Sequence, residues 1–173
     1  EWGILYSASR EGSARYPLRR EVQRLVQELP QHVRVAVHFC GSTVRDLLSL
    51  RSPEVGLIEN LAARNGRVQL NFAHTRVPID INAVARLMRA FPTLTFITQD
   101  HLANVGLWRE IAAFGCANYA VLFDRSGGRG ISPAEWPAPL PVPCGYAGGL
   151  GPSNLSQELT RIAERAGPSA VWI

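Results

Sequence analysis

The sequence predicts an α/β fold built on a parallel sheet. Two patterns carry this reading: short runs of strand-forming residues recur along the whole chain, and between them the apolar residues switch to a helical period. Size agrees, because 173 residues with 46% hydrophobic side chains suit one domain with a substantial core. Residues 1–173 are therefore read as a single domain.

The elements follow in order. Strand-like runs occur at WGILY (2–6), VRVAVHFC (33–40), RVQLNF (67–72), TLTFITQ (93–99), YAVLFD (119–124), VPCGYAG (142–148) and AVWI (170–173). Most of them are rich in β-branched or aromatic residues. After the first run, Leu18, Val22, Leu25, Val26 and Leu29 follow the helical period, leaving the arginines between Arg15 and Arg24 on a solvated face. Ser52-Pro53-Glu54 has the order of an N-cap, a first-turn proline and an acid, which predicts a short helix from Pro53 to about Arg64, before the RVQLNF strand. Val84, Leu87, Met88 and Phe91 make one further buried stripe, and Leu155, Leu159, Ile162, Ala163 and Ala166 another.

Composition excludes several kinds of chemistry. All 18 basic residues are arginine, so no lysine of this chain can cradle a phosphate or form a Schiff base. The net charge of +4 is modest and the arginines are dispersed, so neither a nucleic-acid nor a membrane partner is expected. Cys40, Cys116 and Cys144 form no CxxC and no even-numbered framework, which points to a reducing compartment. His32, His38, His74 and His101 show no metal-binding spacing beyond a lone His38-x-Cys40, so no metal is expected. With no signal peptide and no apolar run near membrane-spanning length, the expectation is a cytoplasmic protein.

Two parallel α/β architectures compete. A dinucleotide fold carries GxGxxG after its first strand, and WGILY is followed by nothing of the kind. The glycine cluster lies instead in GYAGGLGPSN, leading into a helix from Asn154, as in the phosphate sites of (β/α)8 TIM barrels. The barrel is the predicted fold, with about seven strands represented. Strand alternation then sends Val35, Val37 and Phe39 under the helices and Ala36, His38 and Cys40 inward. Gln69 and Asn71 point inward by the same rule, and Asp124 closes YAVLFD at the rim. Such a polar ring is where barrels place their chemistry. Packing also accounts for an inward His or Cys, and turn capping for an Asp at a strand end, so both readings stay open. The glycines after Asp124 favour close ligand approach.

DRSGGRG with the following Trp, Asp124 to Trp136, resembles the "LLD…GGTG…FDW" signature of phosphoribosylanthranilate isomerase. GYAGGLGPSNL (145–155) is similar to that family's "LAGGLxPxNV", RVQLNF to its "VVQLHG", and SARYP (13–17) to its "SPRYV". The resemblance implies an Amadori rearrangement of an aminoaldose phosphate to an aminoketose. That reaction needs an acid to protonate the furanose oxygen and a base to take the proton of the neighbouring carbon. The resemblance puts Asp124 at the general-acid position, Gly148 and Gly149 in the phosphate loop, and Gly127 and Gly128 beside the acid as further phosphate candidates. It puts Arg15 against the substrate carboxylate, a role suited to a planar cation. It implies a phosphorylated small-molecule substrate and no cofactor.

The departures matter as much. The family's base is a cysteine on its first strand, whereas the matches here begin at the second, so an excerpt of a longer polypeptide is expected. Seven strands leave one fewer than closure needs, with free edges at WGILY and AVWI. Arg125 and Arg129 flank Asp124, and cations aimed at a carboxyl would oppose its use as an acid. Asn71-Phe72 replace the family's His-Gly. Cys40, inward on the neighbouring strand, is a substitute candidate for the base, with Asn71 and His38 as candidate substrate contacts. Three functions stay open: a phosphosugar isomerase, a relative that binds a phosphorylated ligand without turnover, and a different enzyme using His38 and Cys40.

Overall fold

The computed structural model describes residues 1–72, 78–101 and 104–173. All seven expected strands form: β1 (Trp2–Tyr6), β2 (Val35–Cys40), β3 (Arg67–Asn71), β4 (Thr95–Asp100), β5 (Tyr119–Phe123), β6 (Cys144–Tyr146) and β7 (Val171–Trp172). They lie in one parallel sheet in sequence order, β1 to β7, forming a half-barrel. The helices are α1 (Arg19–Glu28), α2 (Ser42–Leu48), α3 (Val55–Ala62), α4 (Ile81–Ala90), α5 (Leu107–Ala113) and α6 (Leu155–Ala166). A short 3-10 turn, Ala8–Arg10, follows β1.

The predicted alternation is realised. Ile4, Val37, Val68, Phe96, Val121 and Tyr146 belong to the apolar core on the helix-covered face. The other face carries the register-matched row Leu5, His38, Gln69, Ile97 and Ala120. This second face is concave. Arg67 on β3 stacks its guanidinium 4.2 Å from the ring centroid of Trp172 on β7. The two strands are four positions apart in the sheet order, which in a flat sheet would separate them by about 19 Å. Curling of the sheet brings them together. The same guanidinium pairs with Glu1 at 3.2 Å. Trp172 in turn requires Gly145, where a Cβ would fall 2.2 Å from the indole.

Two helices differ in detail from their sequence patterns. In α6 the buried residues are Glu158, Ile162 and Ala166, while Leu159 is 38% exposed. Glu158 is drawn inward because Trp136 Nε1 donates to it at 2.7 Å and Arg161 pairs with it at 3.0 Å. At α3 the N-cap is Glu54 rather than Ser52, and no side chain caps the helix. Residues 52–54 instead form a turn closed by Val55 N donating to Ser52 O, and the Glu54 carboxylate lies 3.3 Å from the Tyr6 hydroxyl, whose closer acceptor is Glu11. In α4, Val84, Leu87 and Met88 are buried as expected, while Phe91 falls at the C-cap and is half-buried; Asp80, not anticipated, caps the N-terminus by accepting from Ala83 N.

Between β5 and β6 the described chain runs without a helix. Prolines at 133, 137, 139, 141 and 143 forbid helical hydrogen bonding there. This segment is held instead by Trp136, which is 3% exposed and packs edge-on against Tyr146 at 5.7 Å, and by the Tyr146 hydroxyl donating to Pro137 O. Among the described residues no helix is long and apolar enough to cross a membrane.

Candidate functional site

The C-terminal ends of β5 and β6 open into a cleft of about 330 Å³ lined by Asp124, Gly128, Gly130, Tyr146, Gly148 and Gly149, among others. Four of the sequence-predicted residues thus meet in one place. Asp124, the first residue past β5, is 6% exposed. Its Oδ1 accepts from Ser126 Oγ at 2.7 Å, and its Oδ2 accepts from Gly128 N at 2.7 Å and from Gln99 Nε2 at 3.3 Å. Its backbone carbonyl accepts from Gly127 N at 2.9 Å. Ser126 Oγ, having spent its proton on Asp124, accepts from the amides of Arg129 and Gly130 at 3.1 and 3.2 Å. Asp124 and Ser126 together therefore shape the whole SGGRG loop. The turn-cap role that competed with the acid role is occupied.

The flanking arginines do not aim at Asp124. Arg125 reaches Asp100 at 3.7 Å, on the helix side of β4, and Arg129 Nε donates to the carbonyl of Ser126 at 2.9 Å. The concern that both cations bear on the carboxylate finds no direct contact to support it. Burial pushes the Asp100 carboxyl up, with Arg125 opposing.

The two glycine pairs differ. Gly127 and Gly128 spend their amide hydrogens on Asp124. The amides of Gly148 and Gly149 have no acceptor among the described residues. Both take positive φ, 107° and 68°, a conformation in which successive N–H groups can converge on an anion. Steric need is equally plain: a Cβ on Gly148 would sit 3.2 Å from Asp124 Oδ1, and one on Gly149 would sit 2.2 Å from Ser132 N. Asn154 braces the loop from below, donating to Gly149 O at 2.8 Å and accepting from Gly151 N at 2.8 Å.

The remaining predicted residues form a second group on β2 and β3. Cys40 and Asn71 are register partners, and Asn71 Nδ2 lies 3.9 Å from the thiol. Burial pushes the Cys40 thiol up; Arg10, the Asn71 contact and Arg15 pull the other way. The thiolate needed by a base is thereby disfavoured. Arg15 itself is exposed in the loop before α1. Arg10, stacked on Tyr16 at 4.0 Å, is the stronger of the two arginine influences. His38 sits two residues before Cys40 on the same face, its Nε2 3.1 Å from where a Gly3 Cβ would be. Burial, aided by Arg67, lowers its pKa to about 4, so it is neutral near pH 7.

Two residues at the site were not anticipated. Ser126 was visible as a hydroxyl two residues after an acid in a glycine loop. Gln99 was visible by the same alternation that placed Gln69 and Asn71 inward. Among the described residues no cluster of three or more His, Cys, Asp or Glu side chains could hold a metal ion; His74 lies outside those residues. No family model, no curated protein and no solved structure matches the chain.

Proposed function

We propose that the chain forms most of a (β/α)8 barrel acting on a phosphorylated sugar, as an Amadori-type isomerase resembling phosphoribosylanthranilate isomerase. The observation that carries the reading is the pairing of unspent amides at Gly148 and Gly149 with the Asp124 carboxylate in one rim cleft. The amides would take the phosphate and Asp124 would face the furanose ring. For turnover, the carboxyl must exchange one of its donors for the ring oxygen, delivering its proton there while a base removes the proton of the neighbouring carbon. Arg15 would meet the aglycone carboxylate. The free edges of β1 and β7 would accept an eighth strand on closure.

A second reading, phosphosugar binding without turnover, is favoured by the full engagement of Asp124 in shaping its own loop and by the raised Cys40 thiol. Incubation with phosphoribosylanthranilate, followed by loss of its fluorescence, separates the two. Turnover abolished by Asp124→Asn supports the isomerase; no turnover at high protein concentration, together with a rise in melting temperature on adding phosphate, supports binding alone. No shift at millimolar phosphate rejects the anion site itself.

A further inference from the structure

Arg10 lies in the turn that follows β1, and its guanidinium is held in place without a carboxylate. It stacks 4.0 Å from the ring centroid of Tyr16, and its Nε donates at 3.4 Å to the hydroxyl of Ser7, a fully buried residue. The turn is itself fixed: Ala8 N donates at 2.8 Å to Oγ1 of the buried Thr43 in α2, and Gly12 N donates at 2.9 Å to Tyr16 O. Arg10 is nevertheless exposed, makes no ion pair and has no acceptor for its terminal nitrogens among the described residues. The charge is positioned and unanswered.

This turn stands on the same rim as the cleft, because the strands are parallel and it follows β1 as the cleft follows β5 and β6. The curl that brings Arg67 of β3 onto Trp172 of β7 turns the two ends of that rim toward each other. Arg10 is also felt on the concave face, since it bears on the inward Cys40 thiol more strongly than Arg15 does.

Resting on the phosphosugar reading above, we propose that Arg10 is a specificity-determining residue whose terminal nitrogens take a carboxylate on the ligand's aglycone while the Gly148–Gly149 amides take the phosphate. The family resemblance gives that contact to Arg15 alone. Arg15, however, is exposed, and among the described residues no hydrogen bond, ion pair or ring contact holds its side chain. A cation that is already ordered loses less freedom on binding, and a planar guanidinium backed by an aromatic ring presents its fork to a carboxylate. Arg10 therefore carries more of the affinity than Arg15, and a neutral aglycone gains nothing from it.

The test measures, by calorimetry on the full chain, the affinities of anthranilate, its neutral analogue anthranilamide and inorganic phosphate. The wild type should bind anthranilate more tightly than anthranilamide. Arg10→Gln should weaken anthranilate about ten-fold and Arg15→Gln should weaken it less, with phosphate affinity kept in both. Arg10→Lys, which retains the charge without the planar fork, should recover only part of the loss. Equal anthranilate affinity in wild type and Arg10→Gln overturns the proposal, as does a larger loss in Arg15→Gln. An equal loss for anthranilate and anthranilamide, or for anthranilate and phosphate, reports a disturbed turn and also counts against it. Phosphate binding without anthranilate binding in the wild type overturns this inference alone, whereas failure of both ligands removes the phosphosugar reading with it.

Discussion

Replacing Gly149 with alanine tests whether the GGLG loop is built by close packing against the loop that precedes it. Gly149 has φ 68°, and an added Cβ would lie 2.2 Å from Ser132 N and 2.8 Å from Ile131 C. These are backbone atoms, so no rotamer change relieves the overlap. A left-handed conformation costs an alanine about 1–2 kcal/mol, and overpacking against unyielding neighbours adds roughly 1–3 kcal/mol. Gly127 is the internal control: φ is 62°, and nothing lies within 4 Å of its Cβ position. It should show only the conformational part, about 1–2 kcal/mol. Urea denaturation followed by circular dichroism should therefore place Gly149→Ala well below Gly127→Ala in midpoint. Because the 131–132 backbone has to move, Gly149→Ala should also lose the phosphate-induced rise in melting temperature. Equal midpoints for the two variants, or wild-type phosphate binding in Gly149→Ala, would refute the packing argument.

Three further outcomes follow from other parts of the fold. His38 has a folded pKa of about 4 against an ordinary 6.5, so the unfolded chain binds its proton more readily between those values. Stability should then fall as pH drops from about 6.5 to about 4, by up to about 3 kcal/mol, and His38→Gln should flatten that slope in urea melts taken across the range. Arg67→Met and Trp172→Ala should each destabilise, with a coupling of about 1 kcal/mol in a double-mutant cycle, since each removes the other's partner across the concave face; strict additivity would show that the stacked pair contributes nothing to the curl. Cys40, buried and with its thiol pushed up, should react with iodoacetamide at pH 8 far more slowly than in urea. Fast native labelling would revive the reading in which Cys40 and His38 carry the chemistry.

The strands were legible because a two-residue period needs only neighbours to be read. Val35, Val37 and Phe39 against His38 and Cys40 is a local statement, and the structure repeats it. The same logic reached Asn71 and Asp124, and would have reached Gln99 had TLTFITQ been split into its two faces. What was not legible depended on partners far along the chain. Glu158 looks like a solvent-facing acid in α6 until Trp136, 22 residues earlier, presents an indole N–H to it; Leu159, expected in the buried stripe, is 38% exposed. Ser52 has the chemistry of an N-cap, yet Glu54 is buried beside the Tyr6 hydroxyl, 48 residues away, and the helix starts later. The directions of Arg125 and Arg129 belong to the same class, because adjacency in sequence says nothing about where a long side chain ends. Arg125 crosses to Asp100 on another strand.

Those directions also change what the glycine motif means. Asp124 with two arginines beside it read as a carboxylate under the influence of cations. In the fold, its immediate partners are a serine hydroxyl, a glycine amide and a glutamine amide, none of them charged. Every bond shown uses the carboxylate as an acceptor, which is what a loop organiser requires. An acid must instead present a proton outward; the oxygen that Ser126 engages, Oδ1, is the one a Cβ at position 148 would crowd, at 3.2 Å. The glycine at 148 therefore keeps a Cβ from standing 3.2 Å from Asp124 Oδ1 in the cleft that both residues line. Local packing explains why position 149 must be glycine. Room beside the carboxylate gives position 148 a further reason, which links the structural and chemical readings of the motif.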